Sequence, residues 1–231
     1  MSITAEIARI REEMHAACRR AGRNENEVAL MAVSKVHPVE AILEAYASGQ
    51  RLFGENRVQE WQQKAPSAVA CAGLEMHLIG PLQSNKTAKA AELFTSVDTV
   101  DSAKIAQRLH AAAEALGKTL PVMIEVKLSH EESKHGIAPE ELGALLEAIK
   151  PLDRIIPRGL MTVPPWSEDA ETARPYFREL RRLREEHVQQ CSTLVELSMG
   201  MSNDFRVAIE EGSTCIRVGT AIFGKRQYPA P

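Results

Sequence analysis

Residues 28–49, VALMAVSKVHPVEAILEAYASG, read as one strand, one turn and one helix. The run 28–34 is short and almost wholly apolar, as a strand covered on both faces must be, and the pattern becomes helical from Pro38 to Gly49. Seven more runs of this kind follow: RLFGEN (51–56), MHLIG (76–80), TSVDTVD (95–101), VMIEVKLS (122–129), RGLMTV (158–163), LVELSMG (194–200) and CIRVGT (215–220). Helical stretches lie between them, among them NKTAKAAELF, DSAKIAQRLHAAAEALG, PEELGALLEAIK and SEDAETARPYFRELRRLREEHVQQ. Strict alternation builds a parallel sheet covered by helices. Eight units predict a closed (β/α)8 TIM barrel of class α/β rather than an open, doubly wound sheet.

Ahead of the first unit, Ile3, Ile7, Ile10, Met14 and Ala17 recur at helical spacing and Gly22 stands where a helix stops, which predicts an additional helix over residues 1–22 packed on the barrel. The segment has no continuous apolar core and no cleavage site of the secretory kind. No linker or low-complexity block interrupts the 231 residues, so 1–231 are expected to form a single domain. The 28 basic and 31 acidic residues nearly cancel, which gives no global field for nucleic acid or an anionic membrane. Cys18, Cys71, Cys191 and Cys215 are far apart and form no CxxC pair, the usage of a reducing compartment, and a cytoplasmic protein is expected.

A barrel gathers the C-terminal ends of its strands at one rim, where active sites collect. Lys35 ends the first strand and shares the parity of Ala29, Met31 and Val33, which points it inward. Partial desolvation there favours the neutral amine, which can attack a carbonyl and form a Schiff base. A lysine snorkelling from a strand end to water is the plainer alternative. Two glycine-bearing loops join it. LSMGMSNDF turns at Gly200 and offers Ser202, Asn203 and Asp204 as helix caps, and RVGTAIFG presents Gly219 and Thr220. Barrels commonly hold a phosphate with these two loops. Arg217 stands inside an apolar strand, so it needs a partner: a carboxylate such as Glu125 or Glu196, or a ring nitrogen of a bound cofactor. Together these features suggest a phosphorylated carbonyl ligand.

AVSKVHP, FGENRVQE, HLIGPLQSNK, ESKHGI, RGLMTVP, LSMGMSNDF and STCIRVGTAIFG, in this order along nearly the whole chain, resemble the YggS/PROSC family of pyridoxal 5'-phosphate (PLP) homeostasis proteins. The resemblance implies a barrel of the alanine-racemase N-domain type (PLP fold type III) with PLP held as a Schiff base on Lys35. It implies phosphate contacts from Ser202, Gly219 and Thr220, with Ser198 and Asn56 nearby and Arg217 facing the pyridine nitrogen. Two positions depart from the family pattern: Asn203 stands where an acidic residue is more frequent, and Arg57 where an aromatic one is common.

No metal site is expected, because His130-Glu131 lacks the second histidine of HExxH. Gly117-Lys118-Thr119 reads as a helix end rather than a nucleotide loop, because Ala112 stands where that motif's first glycine would be. Lys86 and Lys89 fall on a solvated helix face; Lys134 in the ESKHGI loop is a candidate for a second, transient PLP contact. A racemase requires a second acid or base opposite the lysine, which related racemases take from a tyrosine of an additional β-domain. Here the tyrosines are Tyr46, Tyr176 and Tyr228, and no such domain is expected. An arginine on the pyridine nitrogen also makes the ring a weaker electron sink. The expected protein is therefore a non-enzymatic, monomeric PLP carrier, with apo PLP enzymes as candidate recipients; a PLP-dependent amino-acid racemase is the alternative.

Overall fold

The computed structural model describes residues 2–129, 131 and 135–224. Its eight strands are β1 (Ala29–Val33), β2 (Leu52–Glu55), β3 (Glu75–Leu78), β4 (Ser96–Val100), β5 (Leu120–Glu125), β6 (Ile155–Met161), β7 (Glu196–Ser198) and β8 (Cys215–Val218). They close in sequence order into one barrel, each pair parallel, with β8 returning to β1. Every strand overlaps its predicted run. The largest shift of a strand's start is at β6, which begins at Ile155 and carries Pro157. There the register with β5 jumps from Val122↔Pro157 to Met123↔Gly159, so Arg158 is an extra residue in the strand. Such an irregularity tolerates the missing proline N–H, and a proline is what hides the strand's beginning in the sequence.

The helices are α1 (Ile3–Arg20), α2 (Val39–Ala47), α3 (Val58–Lys64), α4 (Thr87–Leu93), α5 (Ala103–Ala115), α6 (Leu142–Ile149), α7 (Arg174–His187), α8 (Phe205–Glu210) and α9 (Thr220–Phe223). The expected N-terminal helix is α1. Ser2 caps it by accepting the Ala5 N–H at 3.2 Å, Arg19 and Arg20 lie in its last turn, and Ile7, Ile10, Met14, Ala17 and Cys18 are buried. It packs across α2, α8 and α9, on the side where β8 meets β1. The helix α3 has no counterpart among the predicted stretches; its two buried residues, Val58 and Trp61, give too little periodicity to register. No helix among the described residues is long and apolar enough to cross a membrane.

The core lies between the sheet and the helices. Leu30, Ala32, Phe53, Leu78, Val97, Ile124, Leu160, Leu197, Ile216 and Val218 face outward into it against helix residues such as Ile42, Leu109, Leu146, Phe177 and Ile209. The alternate positions line the barrel's inside, and several of them are polar. Near the N-terminal mouth, Ser96 Oγ donates to Asp98 Oδ1 at 2.6 Å, and Asp98 Oδ2 meets His77 Nδ1 at 2.9 Å. Burial pushes the neighbouring Cys215 thiol up to about 12, so it is unreactive at neutral pH.

Burial works against a charged His77, yet the Asp98 carboxylate, through its charge and the hydrogen bond, draws the imidazole above its ordinary value. A raised histidine pKa contributes stability that is complete below the unfolded value, about 6.5, and is lost as pH rises through the folded one. We therefore expect His77→Gln to lower Tm more at about pH 5.5 than at about pH 8.5 relative to the parent chain. Thermal melts of both proteins at the two pH values measure this; an equal deficit at both would show that the pair's charge contributes nothing.

Candidate functional site

The C-terminal mouth of the barrel opens into a cleft of about 620 Å³. Lys35, Asn56, Ser202, Arg217, Gly219 and Thr220, six of the seven residues singled out from the sequence, line it. The seventh, Ser198, is fully buried beneath it and reaches the site through Arg217. Lys134 lies outside the described residues.

Each side chain arrives by a strand end. The pairing Met31↔Arg217 and Ala32↔Val218 sets β1 beside β8, so Lys35, just past β1, stands across from Gly219 and Thr220, just past β8. A Cβ on Gly219 would come within 3.1 Å of the Val33 carbonyl oxygen. That is tighter than side chains normally allow, and glycine lets the β8 loop lie against β1. Across the mouth, Gly80 does the same for Asn56, because a Cβ at Gly80 would run into the Asn56 main chain.

Arg217 forms the floor. It is buried, its Nη1 donates to Ser198 Oγ at 2.7 Å, and its Nη2 donates to the Thr162 carbonyl at 2.8 Å. The sequence left Glu125 and Glu196 open as partners. The structure gives these two bonds to a hydroxyl and a carbonyl instead, while Glu196 is engaged by Arg158 at 2.5 Å. Burial lowers the guanidinium below its ordinary value; Asp98, Glu125 and Asp204 act in the opposite sense through their charge. An arginine remains a cation under all of these influences. The floor is therefore a fixed positive donor.

The loop after β7 departs from the cap chemistry expected of it. Asp204 occupies the N-cap position of α8 but makes no cap bond; its Oδ1 turns back to accept the Met201 N–H at 2.6 Å. Burial raises its carboxyl above the ordinary range, against that backbone hydrogen bond. Asn203 Nδ2 reaches outward to the carbonyls of Ser167 (2.9 Å) and Glu168 (3.3 Å), tying the β7 loop to the β6 loop. This leaves Ser202 on the cleft wall. Arg57 is exposed and outside the lining.

The cleft also contains residues that the sequence did not mark for it: His37, Ile79, His135, Trp166, Ser167 and Met201. The His37 ring lies 5.2 Å from that of Phe223. Trp166 is 74% exposed, a large apolar surface at the rim. A tryptophan in the VPPWS turn after a predicted strand was the available signal, since loops following barrel strands overlook the mouth. Chemically, the wall supplies an amine, the floor a guanidinium, and the β7 and β8 loops hydroxyl and N–H donors. The set suits an anionic ligand bearing an electrophilic carbon.

The chain is similar to known proteins along nearly its whole length. Residues 6–227 match the family described as alanine racemase, N-terminal domain. The chain is 42% identical over 229 residues to the pyridoxal phosphate homeostasis protein of Aquifex aeolicus, covering 99% of this chain and all of that one. To the protein of the same name from Vibrio cholerae it is 45% identical over 230 residues, covering 98% of each. Among solved structures, PipY of Synechococcus elongatus PCC7942 with PLP bound superposes with a TM-score of 0.86 at 40% identity, over 96% of this chain and 100% of that one. The chain belongs to the alanine racemase N-terminal domain family and, within it, to the pyridoxal phosphate homeostasis proteins.

Proposed function

We propose that this protein binds PLP at the C-terminal mouth of its barrel and serves PLP homeostasis, holding the cofactor and passing it on rather than using it to turn over a substrate. One observation carries this reading: a lysine, a buried arginine and two donor-bearing loops converge on one cleft in a chain 40% identical to a protein solved with PLP bound.

The residues present fit the cofactor. Gly219, where a Cβ would crowd Val33, leaves the β8 loop close to Lys35, so an anion bound at that loop lies on the same rim as the amine. Thr220 opens α9, whose first N–H groups have no acceptor within the helix, and the Ser202 and Thr220 hydroxyls add donors for a phosphate. When bound, PLP supplies an aldehyde carbon that condenses with a lysine amine to a Schiff base with loss of water. Lys35 provides that amine in our assignment, and Asn56 faces it from the end of β2.

Arg217 favours holding over catalysis. A guanidinium donates a hydrogen bond to a ring nitrogen without giving up its proton, which leaves the ring a weaker electron sink than a carboxylate partner would. The alternative, a racemase-like enzyme, draws on the family description and on His37 and His135 at the cleft. Tyr46 is occupied elsewhere, donating to the Ala72 carbonyl at 2.8 Å, Tyr176 lies on α7 away from the lining, and Tyr228 lies outside the described residues. We further assign the protein to the cytoplasm, where its four free cysteines suit a reducing medium, as a single-domain monomer whose recipients are apo PLP enzymes.

Borohydride treatment of the PLP-loaded protein should fix a pyridoxyl group on Lys35, read by peptide mapping. An adduct found mainly on another lysine, with Lys35 unmodified, overturns the assignment. If the loops hold the phosphate, Ser202→Ala and Thr220→Ala should each weaken PLP by about tenfold, the loss of one charge-assisted hydrogen bond, while leaving pyridoxal almost unaffected. Titrations of both compounds at one pH measure this, and equal losses for both would remove the phosphate cradle. A panel of L-amino acids in deuterated water should show no Lys35-dependent α-proton exchange, whereas an apo PLP enzyme mixed with the loaded protein should gain activity. Robust exchange would make the protein an enzyme.

A further inference from the structure

Ser34, Glu55, Glu60 and Lys64 lie outside the cleft lining and surround the main chain on both sides of Lys35. Three contacts from outside its own turn hold Ser34. Its N–H donates to the Gly54 carbonyl at 3.0 Å, its hydroxyl donates to Glu55 Oε1 at 2.6 Å, and its carbonyl accepts from Lys64 Nζ at 3.3 Å. Lys64 also donates to Glu55 Oε1 at 2.8 Å and to Glu60 Oε1 at 2.7 Å. On the other side of Lys35, Glu60 Oε1 accepts the Val36 N–H at 2.6 Å. Glu55 is fully buried and its Oε2 has no hydrogen-bond partner, an expensive arrangement to keep for fold alone.

The turn these groups grip is strained. His37 N–H donates to the Ser34 carbonyl at 3.1 Å, so Lys35 and Val36 are the two central residues of a β-turn. Val36 has φ 62° and is the one non-glycine with positive φ among the described residues. A negative φ at the first central residue and a positive one at the second mark a type II turn, whose second position selects glycine or asparagine. A β-branched residue there is a genuine outlier. The neighbouring carboxylate supplies what valine lacks, because a charge-assisted bond to the Val36 N–H favours the conformation that presents it.

We propose that Glu60, anchored by Lys64 and Glu55, is a positioning residue that holds the Ser34–His37 turn in its strained form and thereby aims Lys35 Nζ into the cleft. This rests on Lys35 as the PLP-linking residue. Glu60 acts through the backbone and does not line the cleft.

The test compares Glu60→Ala, Glu60→Gln, Glu60→Ala with Val36→Gly, and Glu60→Ala with Val69→Gly, an exposed valine elsewhere. Circular dichroism and thermal melts confirm folding, and PLP affinity and the absorbance of the lysine-linked cofactor are read for each. Glu60→Ala should bind PLP about tenfold more weakly, roughly 1.4 kcal/mol, with slower linkage. Glu60→Gln, which keeps an acceptor oxygen, should lose less. Val36→Gly should restore binding in the Glu60→Ala background, because glycine takes positive φ freely, and Val69→Gly should not. Should Glu60→Ala fail to fold, Glu60→Gln with and without Val36→Gly gives the same comparison. Unchanged affinity and linkage without the carboxylate, or no rescue by Val36→Gly, overturns the proposal. Hydrogen exchange at the Val36 amide in cofactor-free protein tests the clamp independently of PLP: exchange should accelerate in Glu60→Ala, and unaltered protection would sink it. A parent chain that never links PLP to Lys35, with Val36 exchange still dependent on Glu60, would instead refute the PLP assignment.

Discussion

The return of β8 to β1 is the constraint on which the rest of the molecule depends. Parallel pairing of Cys215, Ile216, Arg217 and Val218 with Ala29, Leu30, Met31 and Ala32 brings the last strand beside the first. Closure removes both sheet edges and sets a stagger that no single strand can choose. It also fixes the chemistry of the mouth, since Lys35 leaves one strand of this pair and Thr220 leaves the other. The helix α1 covers the same side of the barrel with Ile7, Ile10 and Met14. At this seam, Arg23 Nη1 binds the carbonyls of Ile209 (2.8 Å) and Ser213 (2.7 Å), tying the end of α1 to the approach to β8.

The barrel divides the chain into two environments. Between sheet and helices the contacts are apolar, and burial there supplies most of the favourable free energy of folding. Inside, where barrels are commonly filled by branched aliphatic residues, this one carries His77, Asp98, Ser198 and Arg217. Buried polar groups are tolerable when their hydrogen bonds are made, and those of Arg217 are made by Ser198 and Thr162. The cost is accepted where it serves the cleft: the guanidinium is held rigidly below the lysine by neighbours on β7 and just beyond β6.

Much of this was legible along the chain. The eight strands and the inward parity of Lys35 follow from local alternation, and the glycine-bearing loops after β7 and β8 announce themselves by composition. The obscured features have specific causes. Pro157 disguised the start of β6, because prolines rarely sit in ladders unless a register shift admits them. Asp204 looks like a cap and binds Met201 instead, since its carboxylate has a closer donor in its own loop. Val36 carries no glycine or asparagine signal for the positive φ it adopts, and the carboxylate that accepts its N–H, Glu60, comes from α3, remote in sequence.

The sequence by itself determined the alternation of strand and helix, and with it the parallel barrel and the end at which Lys35 emerges. These are one-dimensional periodicities, 2 for a strand and 3.6 for a helix, and each residue's neighbours along the chain are enough to express them. Only the tertiary structure decided who meets whom across that barrel: that Arg217 takes Ser198 and Thr162 while Glu196 takes Arg158, and that Glu60 reaches Val36. Such pairings depend on the stagger between strands and on how each helix lies against the sheet. A shift of one residue turns a side chain from the barrel's interior to its outer face, so partners are selected by the closed geometry as a whole.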